Sequence, residues 1–404
     1  MRAVCFLSCL AGFLAACGPI RTAEASQPED AKDQTVPFAV KFYRAVAARQ
    51  EGDVLVSPYS ALDALGMMFL GARGKTAEEL AATLEFDGPR PGESVAMLKR
   101  LRQRMLLRAR SSKIDLHIAN RLWGQAEYRF RLEYLRALDK LFDSQPEFVN
   151  FRAPEITARR INNWAREATA GKISNVFAPS DLAENTRLVL TNAVYFKSAW
   201  KTPFLRIRTK NGVFKSPQGD ADVQYMQQRI TCDYFETDAL QLAALDYTSS
   251  SFSAVFLLPR EGATIEQFES AIQPEPLRDW IASCRSREVD VKLPKFRIEA
   301  RLSLNAAIRD MGANSVFDTA NANFSGIASD PLAIDEVRQS TFIKVNEDGT
   351  EAAAVTSKSG FGGSAFQNQA VNFHLDRPFW FLIRDNESGT ILFMGRVTKP
   401  NYAD

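Results

Sequence analysis

The chain has 404 residues, of which 46% are hydrophobic, 24% charged and 10% aromatic. This composition is typical of a globular protein with a sizeable core, and it excludes a disordered or fibrous chain. Fifty Lys and Arg residues nearly balance 48 Asp and Glu residues, so the overall charge gives no field strong enough to attract a nucleic acid.

Residues 1–16 have the pattern of a secretory signal peptide. One arginine precedes an apolar run over residues 3–16, which is too short to span a bilayer as a helix. The run ends in Leu-Ala-Ala, followed by Cys17 and Gly18. This ending resembles the bacterial lipobox, so we predict that the sulfur of Cys17 is acylated. The alternative is an ordinary signal peptide cut after an Ala-x-Ala-like site, with Cys17 as a bystander.

Residues 17–35 are polar and contain two prolines. Such a segment lacks the apolar surface needed to fold, so we predict a lipidated flexible tether that leads into one folded domain over residues 36–404. The expected location is a bacterial cell envelope. There the domain is either held by its lipid anchor at the outer membrane, facing the periplasm or the surface, or exported.

Helical periodicity is clear in the first half of the domain, and strand-like segments dominate the second half. The predicted helices cover residues 36–50, 60–74, 131–143 and 155–169. The predicted strands cover residues 187–196, 240–247, 252–259, 287–296, 340–347, 379–385 and 390–397. Because helices and strands segregate along the chain, we predict an α+β fold with antiparallel or mixed sheets.

The sequence offers little from which to build an enzyme active site. Only His117 and His374 occur in the whole chain, so neither a histidine-dependent nucleophile nor a histidine-rich metal site is indicated. Ser198 and Lys201 match the S-x-x-K pattern of penicillin-binding enzymes, but the later K-T-G partner is missing. We predict no enzymatic activity, no metal and no cofactor.

Cys232 and Cys284 are the two cysteines that remain free to pair, because Cys5 and Cys9 leave with the signal peptide. Their spacing does not show whether their α-carbons approach within bridging distance. Two partly buried thiols are the interpretation we favour, and a disulfide is the alternative.

The most informative segment follows Glu347. Side chains alternate between two faces in a strand. One face of this segment carries Thr350, Ala352, Ala354 and Thr356. Because these side chains are small and uncharged, such a strand can enter between two existing strands without overpacking the core or burying a charge. The alternative is a flexible alanine-rich surface loop.

Ordered motifs along the whole domain resemble those of the serpin family. They are SPYS at 57–60, LGARGKT at 70–76, ANRLW at 119–123, INNW at 161–164, TAGKI at 169–173, TNAVYFK at 191–197, LPKF at 293–296, FSGI at 324–327, DRPF at 376–379 and LFMGRV at 392–397. The resemblance implies a serpin fold with three β-sheets, about eight or nine helices and an exposed reactive-centre loop outside the large sheet.

The resemblance also implies the mechanism. A protease would cut the loop, form an acyl-enzyme and be carried along as the cut loop inserts into the sheet as a new strand. The protein would then be a monomeric suicide substrate of a serine protease, with cross-reaction towards cysteine proteases. The alternative is a non-inhibitory serpin that serves as a binding or carrier protein, which bulky, charged or proline residues at the inward hinge positions would favour.

Three groups of residues take roles by resemblance. The hinge comprises Glu347, Gly349, Thr350, Glu351, Ala352, Ala353, Ala354, Val355 and Thr356. At the breach, where the loop enters the sheet, Glu347 is expected to pair with Lys295 near Trp200. The shutter, a polar latch beneath the parting strands, comprises Ser57, Ser60, Asn192 and Gln339. The family commonly has a histidine in place of Gln339, so this chain lacks that pH switch.

Two ways of counting along the loop give different positions for the bond that the protease cuts. Counting about fourteen positions from Gly349, as the resemblance implies, places the bond at Gly363-Ser364. Counting back from Phe373 gives Ala365 to Gln367. Small residues here favour elastase- or subtilisin-like proteases, Phe361 or Phe366 favours chymotrypsin- or papain-like ones, and the absence of Arg and Lys disfavours trypsin-like ones. Lys358 would point inward after insertion, which leaves full-length insertion open.

Overall fold

The computed structural model describes residues 34–351 and 370–402. Part of the sequence predictions lies outside these residues. They concern the signal peptide 1–16, Cys17 and the tether up to residue 33, the hinge residues Ala352, Ala353, Ala354, Val355 and Thr356, the inward-pointing Lys358, and the bond candidates Phe361, Gly363, Ser364, Ala365, Phe366 and Gln367.

Nine α-helices lie within the described residues. Their bounds are α1 Val36–Ala47, α2 Pro58–Gly71, α3 Gly74–Thr83, α4 Pro91–Ser111, α5 Leu132–Phe142, α6 Pro154–Ala168, α7 Ile265–Ala271, α8 Pro274–Ala282 and α9 Asn305–Asp310. All four predicted helices are present. In the described ranges, no helix is both long and apolar enough to cross a membrane.

Helix α2 is buried on nearly all sides, because it lies between two sheets. Pro58 occupies its first turn, where proline's fixed φ favours helix and its missing N–H costs no hydrogen bond. Only Leu70 among its residues is not classed as buried. The helix contacts two strands of one sheet and the last strand of the chain in the other, so it forms the floor beneath the site described below.

Fifteen strands are present in the same residues. Their bounds are β1 Val54–Val56, β2 Asp115–Gln125, β3 Glu147–Val149, β4 Leu188–Ala199, β5 Lys210–Phe214, β6 Ala221–Glu236, β7 Leu240–Asp246, β8 Phe252–Pro259, β9 Arg285–Pro294, β10 Phe296–Ser303, β11 Glu336–Asn346, β12 Gly349–Thr350, β13 Val371–His374, β14 Phe379–Asp385 and β15 Ile391–Val397. All seven predicted strands are among them, so the α+β class is confirmed.

The first sheet has six strands in the order β10-β11-β12-β4-β2-β3. Strands β11 and β4 are parallel and pair directly along seven residue pairs, from Glu336–Val189 at the lower end to Phe342–Tyr195 at the upper end. Helix α6 covers what we call the front face of this sheet, where Ile161 packs in a cluster with Val189 and Phe342. The opposite face, which we call the core face, packs on the interior.

The second sheet has nine strands, and eight of them follow the order β1-β15-β14-β8-β7-β6-β9-β13 while β5 also pairs with β6. The resemblance implied three sheets in all, whereas hydrogen bonding joins the described strands into two. The reason is β6, whose 16 residues run without a break and pair with β5, β7 and β9. One long strand therefore links two groups of strands that would otherwise be separate.

Candidate functional site

The hinge begins inside the six-stranded sheet. Strand β12 lies between β11 and β4 at their upper ends, with Thr350 opposite Val345 on one side and Ser198 on the other. Directly below, β11 and β4 close on each other. Two residues of the hinge are therefore already part of the sheet, while the loop that the resemblance places outside the sheet lies beyond the described residues. The short strand is stable here because its position is lined by groups that fit it.

Thr350 fits its position closely. Its side chain is fully buried, and its hydroxyl lies 2.6 Å from the hydroxyl of Tyr247. Tyr247 in turn stacks on Trp200 at a ring distance of 4.8 Å. A hydroxyl between two strands is therefore satisfied, and a larger or charged side chain has no space there.

Gly349 is required by a close backbone approach. A Cβ atom at this position would lie 2.1 Å from the carbonyl oxygen of Ser198, and the φ of Gly349 is +153°. Both features exclude residues with a side chain. The hinge backbone therefore comes closest to β4 at Gly349, and glycine is the one residue type that permits this approach.

At the breach, Glu347 is buried beside Lys295. Lys295 Nζ lies 3.4 Å from Glu347 Oε2, and the Thr209 hydroxyl donates to Glu347 Oε1 at 2.8 Å. Burial alone would raise the pKa of Glu347, but the hydrogen bonds from its own backbone N–H and from Thr209, with the Lys295 charge, hold this pKa below its ordinary value. The carboxylate is therefore ionised at neutral pH.

Trp200 fixes the turn before β12. Its indole Nε1 donates to the carbonyl of Asn346 at 2.9 Å, and its backbone N–H donates to the carbonyl of Asp348 at 2.9 Å. The backbone N–H of Phe204 donates to the carbonyl of Glu347 at 2.9 Å. The segment after β4 thus holds three consecutive residues of the hinge base.

At the shutter, Gln339 joins β11 to two other elements. Its Nε2 donates to Asn192 Oδ1 on β4 at 2.6 Å and to the carbonyl of Ser57 at 3.0 Å, while its Oε1 accepts from the Ser57 N–H at 2.8 Å. The Ser57 hydroxyl donates to the carbonyl of Leu392 at 2.6 Å. The amide therefore uses donor and acceptor together, and it contains no titrating group.

The latch extends further than the sequence indicated. Asn192 also donates to the hydroxyl of Ser60 and to the side chain of Asn120 on β2. Asn120 donates to Asp63 Oδ2 at 2.9 Å, and Asp63 is paired with Arg102 of α4 at 2.9 Å. The side chains of Asp63 and Arg102 are 3% and 4% exposed. A continuous polar chain therefore runs from α4 to the line where β4 and β11 meet.

Sequence reasoning did not find Asp63, Arg102, Asn120, Thr209 or Tyr247. One signal for the first pair was available. In α4 the buried positions 95, 98, 102, 105 and 109 repeat every three or four residues, and Arg102 occupies the middle of that otherwise apolar stripe. A charge at such a position needs a buried partner.

Ser198 and Lys201 are not brought together. The Ser198 hydroxyl is buried and donates to the carbonyl of Ala199 at 3.4 Å, whereas Lys201 Nζ contacts Ser250 at 2.8 Å and Asp246 at 3.3 Å. The S-x-x-K match therefore has no serine–lysine pair behind it.

Cys232 and Cys284 are both free thiols and both are partly buried. Burial, with the negative charge of Asp233 added, raises the pKa of each thiol to about 12. They are therefore protonated at neutral pH and poor nucleophiles.

The comparisons with known proteins agree on one family. The family model of the serpins, described as serine protease inhibitors, matches residues 33–400. A serpin-like protein of Thermococcus kodakarensis is 37% identical and covers 90% of this chain and 84% of its own length. The human leukocyte elastase inhibitor is 32% identical and covers 90% of this chain and 97% of its own length.

Solved structures give the same result. Serpin48 of the insect Tenebrio molitor is 29% identical and superimposes with a TM-score of 0.81 over 93% of this chain and 100% of its own. Human thyroxine-binding globulin in complex with thyroxine is 26% identical and superimposes with a TM-score of 0.83 over 93% of this chain and 99% of its own. The fold is that of a serpin, and this chain belongs to the serpin family of serine protease inhibitors.

Proposed function

We propose that this protein inhibits a serine protease as a suicide substrate, with the cut loop entering the six-stranded sheet as a new strand. The observation that carries the proposal is β12. It already occupies the top of a slot between two parallel strands and runs antiparallel to both. Continuing it downwards requires that β11 and β4 separate and that the residues after Thr350 become extended.

If β12 were extended in its present register, each following residue would take a defined place. One step per residue would put Ala353 opposite Phe342 and Tyr195, and residue 359 opposite Glu336 and Val189. The single ladder of seven direct β11–β4 pairs would then be replaced by two ladders, one between the new strand and β11 and one between the new strand and β4. Some ten new hydrogen bonds at ~1 kcal/mol each supply a driving force on the order of 10 kcal/mol. That is enough to hold an attached protease in a distorted state.

The core-face positions of the slot suit the residues that would enter them. In the same register Ala352 would lie beside Phe196, and Thr356 beside Gln339 and Asn192. An alanine fits next to a large buried ring without overpacking. A threonine hydroxyl next to two amides can join the shutter hydrogen bonds.

Lys358 is the one charged residue on that face. It would enter opposite Val337 and Leu190, which are 1% and 0% exposed. Burying an unpaired ammonium costs several kcal/mol. We therefore propose that insertion is strongly driven down to residue 357 and less so beyond it.

A carrier function is the competing proposal, since thyroxine-binding globulin is a close structural neighbour. The hinge argues against it here. A protein that need not insert its loop has no need of small residues at Ala352 and Ala354, which follow β12 in the sequence. The inhibitory proposal accounts for them.

The test of this function is an SDS-stable complex. Elastase-, subtilisin- and chymotrypsin-like proteases are each incubated with the protein, and the released loop peptide is identified by mass spectrometry. We expect a covalent complex with at least one of them and a cut between Phe361 and Gln367. Clean cleavage by all three with no complex would contradict an inhibitory function.

The control for the position of the bond is Gly363→Arg. Because trypsin-like proteases require a basic residue before the bond, this variant is expected to form a complex with trypsin if Gly363-Ser364 is the bond cut. A cut in the parent that stays at Ala365 or beyond would show that the shorter count from Phe373 is the correct one.

We also propose that the protein is held in the cell envelope by a lipid on Cys17. Cys17→Ala is expected to accumulate unprocessed precursor or to leave the membrane fraction, because the acylated sulfur is gone. Cys9→Ala, which removes a thiol from the signal peptide itself, serves as the control. If the Cys17 variant is processed to the mature length and still sediments with membranes like the parent after a high-salt wash, the anchor is not at this cysteine.

A further inference from the structure

The chain leaves the six-stranded sheet at Glu351. Its backbone N–H donates to the carbonyl of Lys344 on β11 at 2.7 Å, which continues the hairpin by one hydrogen bond. Its φ is +55°, in the left-handed region that a glutamate seldom occupies. To let β12 grow by one residue, Glu351 has to leave this conformation for an extended one.

The side chain of Glu351 is held in this position. It is 7% exposed, its Oε2 lies 2.9 Å from Lys172 Nζ, and the same oxygen accepts from the hydroxyl of Tyr195 at 3.3 Å. Burial and the negative charge of Glu351 keep the pKa of Tyr195 well above its ordinary value. Tyr195 is therefore protonated at neutral pH and can donate to Glu351.

These contacts lie over the pair that has to open first. Phe342–Tyr195 is the uppermost direct pair between β11 and β4, and Ala353 would take its place during insertion. Lys172 Nζ also lies 6.0 Å from the centre of the Phe342 ring. Lys172 therefore contacts both the hinge and β11, while Tyr195 contributes the hydroxyl from β4.

Lys172 is fixed by the turn that follows α6. The Thr169 hydroxyl donates to the carbonyl of Ala165 at 2.7 Å and accepts from the N–H of Ile173 at 3.0 Å. The backbone N–H of Lys172 donates to the carbonyl of Thr169 at 3.0 Å. The ammonium is thus presented by a closed turn anchored on α6 rather than by a free loop.

We infer that Lys172 and Tyr195 are positioning residues that hold Glu351 out of the strand and so set the rate at which loop insertion begins. This group, the clasp of Glu351, Lys172, Tyr195 and Phe342, rests on the proposed insertion mechanism. It keeps the uncut protein from inserting its own loop. Once the loop is cut, the driving force of the new strand exceeds the clasp.

The experiment compares Lys172→Met, Tyr195→Phe and the double variant with the parent. Each purified protein is warmed, and the loss of complex-forming protein is followed as it converts to an inactive form with the loop inserted. Each single variant is expected to convert about fivefold faster, the size that a partly exposed ion pair or one hydrogen bond supports. Cleavage of the loop by a protease in excess should be unchanged.

Two controls separate the clasp from general stability. Lys41→Met removes the ion pair of Lys41 in α1 with Glu85, in which the lysine is 35% exposed against 40% for Lys172, and it should convert at the parental rate. Lys172→Arg keeps the charge and should restore slow conversion. The conversion rate of the double variant should rise by less than the product of the two single-variant increases, since both groups bind the same carboxylate oxygen.

The outcomes distinguish this inference from the proposed function. If the parent forms no covalent complex with any protease, the proposed function is wrong. A parent that forms complexes, with Lys172→Met and Tyr195→Phe converting at the parental rate, overturns the clasp alone. Equal acceleration by Lys41→Met would also overturn it, because the effect would then follow from lost stability.

Discussion

Thr350→Arg is expected to turn the inhibitor into a substrate. The side chain of Thr350 is fully buried between β11 and β4, and its hydroxyl contacts Tyr247. A guanidinium without a partner at this place costs several kcal/mol, so β12 is expelled and cannot lead the strand that follows. Cleavage is not expected to depend on this position, because the proposed bond lies between Phe361 and Gln367. Hydrolysis of the acyl-enzyme then outruns insertion.

The measurement is the fraction of protease recovered as SDS-stable complex, set against the rate at which the loop is cut. The expected result is an unchanged rate of cutting with almost no complex. Thr350→Ser retains a small hydroxyl side chain and is the matched control, with trapping close to that of the parent. Equal complex formation by Thr350→Arg would mean that trapping does not require insertion.

Arg102→Met is expected to lower the free energy of unfolding by about 3–5 kcal/mol, the cost of leaving one buried charge without its partner. Asp63 would keep only the hydrogen bond from Asn120. Arg102 also donates to the carbonyl of Leu141 at 2.7 Å, and that hydrogen bond would be lost as well. The shift of the urea midpoint, at an unchanged dependence on urea, measures the effect.

The controls for this prediction lie on the same helix. Arg104→Met replaces an exposed arginine two residues away and should change stability by less than about 0.5 kcal/mol. Asp63→Leu combined with Arg102→Met removes both charges and should recover most of the loss, since no buried charge is left unpaired. A single variant as stable as the parent would show that the pair does not support the latch.

The fold was predictable where an element has a clear apolar pattern. The period near 3.6 in α1 and α6 indicated those helices. Runs rich in β-branched and aromatic residues indicated β8 and β14, which are buried on both faces. Strand β2 was not predicted as a strand, because its central residues are half-buried on both faces and include His117, Asn120 and Arg121. Helix α4 was not predicted either, because arginine interrupts its apolar stripe.

The candidate site was predictable only where a motif carried it. Glu347 and Lys295 lie in segments separated by about fifty residues, and nothing local indicates that β10, β11 and the hinge bring them together. Nothing local indicates the pairing of Asp63 with Arg102 and Asn120 either, since it depends on where α2, α4 and β2 cross. Insertion of Gly349 and Thr350 depends on how well the upper slot fits them, which only the tertiary structure shows.

The central claim, that the cut loop enters the six-stranded sheet, is tested most directly by the melting temperature after cleavage. The loop is cut by a protease that is then inactivated, and the nicked protein is compared with the intact one. A driving force on the order of 10 kcal/mol, acting in a chain of this size, predicts a rise of at least about 10 °C. An unchanged or lower melting temperature in the nicked protein would contradict insertion.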